Sequence, residues 1–373
     1  MVINDQNIEL IFNNFNHLAE FESFNELTSG HINDTFFIRT KHINDCNFVL
    51  QRINSNVFKN AKELIINKEN VSKHIQKKLQ HLGPEELNKR VLKFIETKVN
   101  LPYYLDEDGD YWNIMVFIEG SKTFEKVENI EIAYEGGKLF GDFSNLTEGF
   151  DTNEIVDIIP NFHEMSFRYQ QFYDALENAT PNRLELAKQC IHQVFSLKEE
   201  MHLLQNFKNE GKIPLRITHN DTKISNALFD ENNKGLCVID TDTVMVGIIH
   251  YDFGDAIRTI CNTAFEDETD LSKITFNLEF YKAFTKGFLE KTHHCISLFD
   301  AQNLALAAKT ITFIMGLRML TDFLNNDIYY KTKYKNHNID RAKNQFKLVD
   351  LISDNFEEMN RISIEEYKKI NQR

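Results

Sequence analysis

The feature that most constrains this chain is a change of periodicity at Gly120-Ser121. Before it, short apolar and β-branched runs alternate with turn residues. After about Ile130, apolar residues recur at helical spacing almost to the end, broken by one β interlude from Leu215 to Val244. The first part predicts strands at 21–27, 35–40, 47–53, 99–104 and 111–119, and a helix from 60 to about 81 that Gly83-Pro84 ends. The second predicts helices at 131–146, 164–176, 182–209, 271–291, 301–324 and 340–359. The expected fold class is α+β and two-lobed, with a small β-rich N-lobe over residues 1–119 and a large, mainly helical C-lobe over 120–373.

Composition narrows the function classes. An excess of 56 acidic over 42 basic side chains, a formal charge of -14, excludes a general nucleic-acid binder, which needs clustered Lys and Arg. The longest apolar run, Leu304 to Leu320, is interrupted by Lys309 and Arg318, so it predicts a core helix, and no membrane association is expected. The five cysteines are scattered without a C-x-x-C pair, and the N-terminus lacks a basic stretch followed by an apolar one. Reduced thiols and a cytoplasmic location are expected. In His293-His294-Cys295 adjacent side chains point different ways, and no metal is assigned there.

The interlude carries the chemistry. Ile217-Thr218-His219-Asn220-Asp221-Thr222-Lys223-Ile224-Ser225-Asn226 runs from a strand into a polar loop. Asn226 to Asp230 and Leu236 to Asp240 then read as the two arms of a hairpin around Glu231 to Gly235. Asn226 opens the first arm and Asp240 closes the second, which brings both to one end of the ribbon, with Asp221 and Lys223 just ahead. Phosphoryl transfer needs such a set. Asp221 accepts the proton of an attacking hydroxyl, Lys223 sits on the transferred group, and Asn226 with Asp240 holds Mg²⁺ against the phosphates.

HNDTKISN resembles the H-x-D-x-x-x-x-N catalytic loop of aminoglycoside phosphotransferases, choline kinases and related small-molecule kinases, and CVIDTD resembles their metal-binding strand end. ITHNDTKISNALFD, CVIDTDTVMVG, YDFGDAIRT, GLRMLTDFLNNDIYYK, GHINDTFF, VLQRIN and VFIEG are similar to stretches of the N-acetylhexosamine 1-kinases of that family, so the resemblance touches nearly the whole chain. It implies a protein-kinase-like two-lobed fold and Mg²⁺-dependent transfer of the ATP γ-phosphate to the anomeric hydroxyl of an N-acetylhexosamine. A small-molecule sugar and ATP are then the partners, with no obligate protein partner. Asp252-Phe253-Gly254 spells the protein-kinase metal motif but lies 31 positions after Asp221. Asp240 lies 19 after it, the more suitable spacing, so Asp252 to Asp255 is expected to start and cap a helix, with Asp242 as a secondary or alternative ligand.

The N-lobe should cover ATP. Ser29 to Asp34 stands where a glycine-rich phosphate lid would, with Ser29 and Gly30 nearest the phosphates. Phe117 to Glu119 is the hinge whose backbone would hold adenine. FVLQRI lacks the phosphate-pairing Lys expected on the third strand. Arg52 replaces it, paired with Glu69 on the following helix, or Gln51 occupies that register. Ala307, Ile311, Ile314 and Arg318 share one helical stripe, so Arg318 must be paired, with Asp322 one turn on, or must meet a polar ligand. The resemblance assigns Arg318 and Tyr329 to the sugar, with His31 and Asn33 as further contacts. Two other readings remain open. One is the same chemistry on choline, an amino-alcohol or an aminoglycoside; the other is a catalytically dead nucleotide-binding module.

Overall fold

A computed structural model of the chain describes residues 3–27 and 32–372; Ser29, Gly30 and His31 lie outside the described residues. The elements are α1 (Asp5–Phe12), β1 (Phe21–Glu26), β2 (Asp34–Thr40), β3 (Phe48–Arg52), α2 (Ala61–Lys78), α3 (Pro84–Arg90), β4 (Tyr104–Leu105), β5 (Tyr111–Val116) and α4 (Ile130–Leu146). There follow α5 (Met165–Asn178), α6 (Pro181–Ser196), α7 (Lys198–Met201), α8 (Leu203–Asn209), β6 (Arg216–Thr218), β7 (Ala227–Phe229), β8 (Gly235–Val238) and β9 (Met245–Gly247). The chain ends with α9 (Ile249–Ile260), α10 (Leu278–Thr292), α11 (Leu298–Gln302), α12 (Leu304–Leu324), α13 (His337–Asp354) and α14 (Phe356–Asn371). It divides into two compact units. The first comprises 1–123, 146–160 and 227–246, and the second 124–145, 161–226 and 247–373.

The first unit is built on a five-stranded antiparallel sheet ordered β1-β2-β3-β5-β4. In β2, Phe36, Ile38 and Thr40 alternate onto the buried face. Phe36 and Ile38 join Phe48 and Leu50 of β3, Trp112 and Ile114 of β5, and Ile8, Ile11 and Phe12 of α1 in one core. Each such side chain contributes about 1.5–3 kcal/mol by leaving water. The other face of β3 carries Val49 and Gln51. The β7–β8 hairpin, with Ala227 opposite Val238, belongs to this unit, as does the segment after it.

The second unit is helical. Leu304 to Leu324 is apolar and buried almost all round, and it packs against α5, α6, α9, α13 and α14. Among the described residues it is the one helix long and apolar enough to cross a membrane, yet 83% of its apolar window is packed inside the protein. Its Lys309 ammonium is held by both oxygens of Glu200 at 2.7 Å. Helix α9 approaches α12 so closely that a Cβ on Gly254 would overlap the carbonyl oxygen of Ala307. The helix expected at 182–209 is three helices. A ring nitrogen of His202 meets the Lys198 carbonyl at 2.7 Å, the acceptor that His202's own N–H would use in a continuous helix, and that N–H turns to Glu200. Gly211, at φ +70°, follows α8 in the left-handed conformation that a helix C-terminus favours.

Candidate active site

The loop after β6 is fixed by two aspartates of α9. The Asp252 carboxylate accepts the backbone N–H of His219 (2.9 Å) and of Asn220 (2.7 Å). Asp255 accepts that of Thr222 (2.8 Å), whose hydroxyl donates to the Asp252 carbonyl (2.6 Å). Asp252 therefore caps the loop and not its own helix, which starts three residues earlier, at Ile249. This corrects the expected capping role. Asn220 sits at φ +66°; among the described residues every non-glycine at positive φ is Asn or Asp, the types that tolerate it. The His219 ring is buried against Phe143, with centroids 5.5 Å apart.

On this loop the structure brings Asp221, Lys223 and Asn226 together. Lys223 Nζ lies 3.0 Å from the Asp221 carboxylate. The Asn226 amide donates to the Asp221 carbonyl (2.8 Å) and carboxylate (2.9 Å), leaving its own Oδ1 as an acceptor. Burial pushes the Asp221 pKa up, but the Lys223 and His219 charges and the bonds from Lys223 and Asn226 outweigh it, and the group stays below the usual carboxylate range. Such a group is ionised at neutral pH and can receive a proton from a hydroxyl brought to it. Asp255 also holds Arg258, which in turn reaches Glu266 (2.9 Å), and Glu266 is shared with Arg341.

Arg318 has no carboxylate partner among the described residues. The expected pair with Asp322 is not formed, because Asp322 accepts the backbone N–H of Tyr329 (2.8 Å) and Tyr330 (2.9 Å) and the Asn338 amide (2.9 Å). The Arg318 guanidinium lies over the rings of Phe162 (4.9 Å) and Tyr330 (5.8 Å). Tyr329 is exposed and packs edge-on against Tyr330. Nearby groups are also unpaired: both ring nitrogens of buried His163 and the hydroxyl of Tyr330 have no hydrogen-bond partner among the described residues. Arg168 is anchored by the Phe162 carbonyl and Gln171, again without a carboxylate. Its pKa falls to about 10 through burial and the Arg318 charge. His163 is held neutral by burial and by Arg318 and Arg168.

In the first unit, Arg52 and Gln51 point to opposite faces of β3. Arg52 stands beside Trp112 (5.6 Å) and is held by Asp34 (2.8 Å) and Asp110 (3.2 Å). Glu69 pairs with Lys73 (3.1 Å), so the expected Arg52–Glu69 pair is not formed. On the Gln51 face, buried Lys68 of α2 pairs with Asp242 and donates to Gln51 (2.6 Å). Asn33 also donates to Asp242, and Gln51 reaches it at 3.3 Å. Phe117 packs on Phe37 (4.8 Å) with its N–H on the Asn47 carbonyl, and the Glu119 carboxylate accepts from the Asn47 amide (2.7 Å). Asp240, two residues past β8, sits at φ +60°.

A β-sheet N-lobe, a helical C-lobe and a loop with an ionised Asp beside Lys and Asn define a kinase-like phosphotransferase fold. Residues 23–284 match the family model described as the APH phosphotransferase enzyme family, and the chain belongs to that family. Similar solved structures include an aminoglycoside phosphotransferase from Alicyclobacillus acidocaldarius (14% identity, 97% of this chain and 98% of that one, TM-score 0.59). A choline kinase from Cryptosporidium parvum is similar too (15%, 89% and 90%, 0.53), as is an ethanolamine kinase from Plasmodium vivax (13%, 87% and 82%, 0.52). At these identities they show the fold.

Proposed function

We propose that this phosphotransferase is an ATP-dependent, cytoplasmic sugar 1-kinase that phosphorylates the anomeric hydroxyl of an N-acetylhexosamine. Residues 1–119 form the nucleotide-covering lobe and 120–373 carry the catalytic loop and acceptor site. Asp221 orients the hydroxyl and takes its proton as the new O–P bond forms and ADP departs, and Lys223 offsets charge on the transferred group. Asn226 Oδ1 and the Asp240 carboxylate are hard oxygen donors of the kind Mg²⁺ takes. When bound, the ion neutralises phosphate charge. The hinge at Phe117 to Glu119 offers main-chain groups to adenine.

The observation that carries the acceptor class is the charge around Arg318. Arg318 and Arg168 lack carboxylate partners among the described residues, and His163 is neutral with both ring nitrogens unpaired. Such a set donates to uncharged hydroxyl and amide oxygens and repels ammonium groups. It supports a neutral acetamido sugar over choline, an amino-alcohol or an aminoglycoside. Arg318, with Tyr329, would contact the sugar.

The test is ATP consumption over N-acetylglucosamine, N-acetylgalactosamine, glucose, choline, ethanolamine and an aminoglycoside, with the phosphorylated position read by ³¹P NMR. Turnover of the acetamido sugars at C1 is expected. Turnover of choline alone would overturn the acceptor, and ATP binding without turnover of any acceptor would indicate a non-catalytic module.

A further inference from the structure

The sequence lacks a lysine on β3, where a protein kinase pairs one with the nucleotide phosphates and holds it with a Glu from the following helix. The structure carries the same two positions with the charge moved. Gln51 occupies the strand and Lys68 the helix, and the two side chains meet at 2.6 Å. We propose that Lys68 is the phosphate-pairing cation of this chain, delivered from α2 instead of β3.

Three observations support the assignment. Lys68 is 2% exposed and stands on an apolar stripe of α2 with Leu64, Val71 and Ile75, a placement that hydrophobic packing alone disfavours. Its ammonium is engaged by the Asp242 carboxylate and the Gln51 carbonyl oxygen, which leaves one of three N–H donors for another acceptor. Asp242, two residues beyond Asp240, already receives Lys68, Asn33 and Gln51. A carboxylate with three donors is a holder of Lys68 more than a metal ligand, which leaves the metal to Asp240. Arg52 cannot serve instead, since it projects from the opposite face of the strand into Asp34 and Asp110.

The inference rests on the reading of this chain as an ATP-dependent kinase, and the experiment separates the two. Calorimetric binding of Mg-ATP, Mg-ADP and adenosine is measured for the wild-type chain and for Lys68→Met, with thermal melts of both. Wild-type protein that binds no adenine nucleotide would sink the kinase reading itself. Given wild-type binding, Lys68→Met is expected to weaken ATP and ADP by roughly tenfold or more while adenosine, which has no phosphate, binds as before. Equal binding of ATP by variant and wild type, or a parallel loss for adenosine, would overturn the role of Lys68. If Lys68→Met does not fold, Lys68→Gln, which keeps a donor for Asp242, is read in the same way.

Discussion

The Asn226 amide bonds Asp221 twice, once at its carbonyl and once at its carboxylate, which ties the two ends of this loop stretch together. In the proposed reaction, the carboxylate that takes the proton is thereby positioned by the residue whose remaining oxygen would serve the metal. Replacing Asp221 by Asn removes the base and keeps the size. It is expected to lower kcat by about 10²–10⁴-fold. Mg-ATP affinity by calorimetry should change less than about threefold; near-normal turnover would remove Asp221 from the chemistry.

Asp252 sets a pH dependence. Burial raises its pKa to about 6, against the lowering effect of the His219 charge and the two N–H groups it accepts. With a folded value above the ordinary 3.8, its contribution to stability is fully present below 3.8 and is lost as pH rises through about 6. Catalysis runs the other way, because only the ionised form accepts both loop N–H groups. We expect kcat/KM to fall as pH drops through about 6, and Asp252→Asn to be roughly tenfold less active at pH 8 with no such acid limb. An unchanged limb in the variant's pH–rate profile would refute the assignment.

Gly254 spells the end of a kinase metal motif, but its place in the fold is a helix contact. Gly254→Ala puts a methyl group against the Ala307 carbonyl and the Ile311 side chain. The variant is expected to melt about 3–8 °C lower by calorimetry, through overpacking, with Mg-ATP affinity retained.

Arg318→Ala should raise the KM of the sugar at least about tenfold and that of ATP less than twofold, in steady-state kinetics with each substrate varied. Arg318→Lys should recover part of the loss, since it keeps the charge but not the planar fork. An equal rise in both KM values would assign Arg318 to the fold and not to the acceptor.

Four of the five expected N-terminal strands, the helical C-terminal region and the loop from His219 to Asn226 were legible because periodicity and a short polar motif are local properties of a sequence; the strand expected at 99–104 is only Tyr104–Leu105. What escaped were partnerships between distant positions. Arg318 and Asp322 have ideal helical spacing, yet Asp322 is taken by the backbone of residues that follow the helix. Lys68 gave the same signal as Arg318, a charge on an apolar stripe, but its partners stand 17 and 174 positions away. Asp252 and Asp255 looked like a helix start because nothing in their neighbourhood announces that the groups they satisfy lie 30-odd residues earlier. His163 and Tyr330 escaped because the mark that singles them out, an unpaired buried polar atom, exists only once the chain is folded.

Helix α12 has a consequence for redesign. Its residues are the keel of the helical unit, and the same rod carries Arg318 and the aspartate that fixes the Tyr329-Tyr330 backbone. A library that varies α12 to change acceptor preference would mostly return misfolded protein. For the proposed acceptor site, the positions to vary first lie off the rod, at Phe162 and the Tyr329-Tyr330 turn, which are not part of the helix.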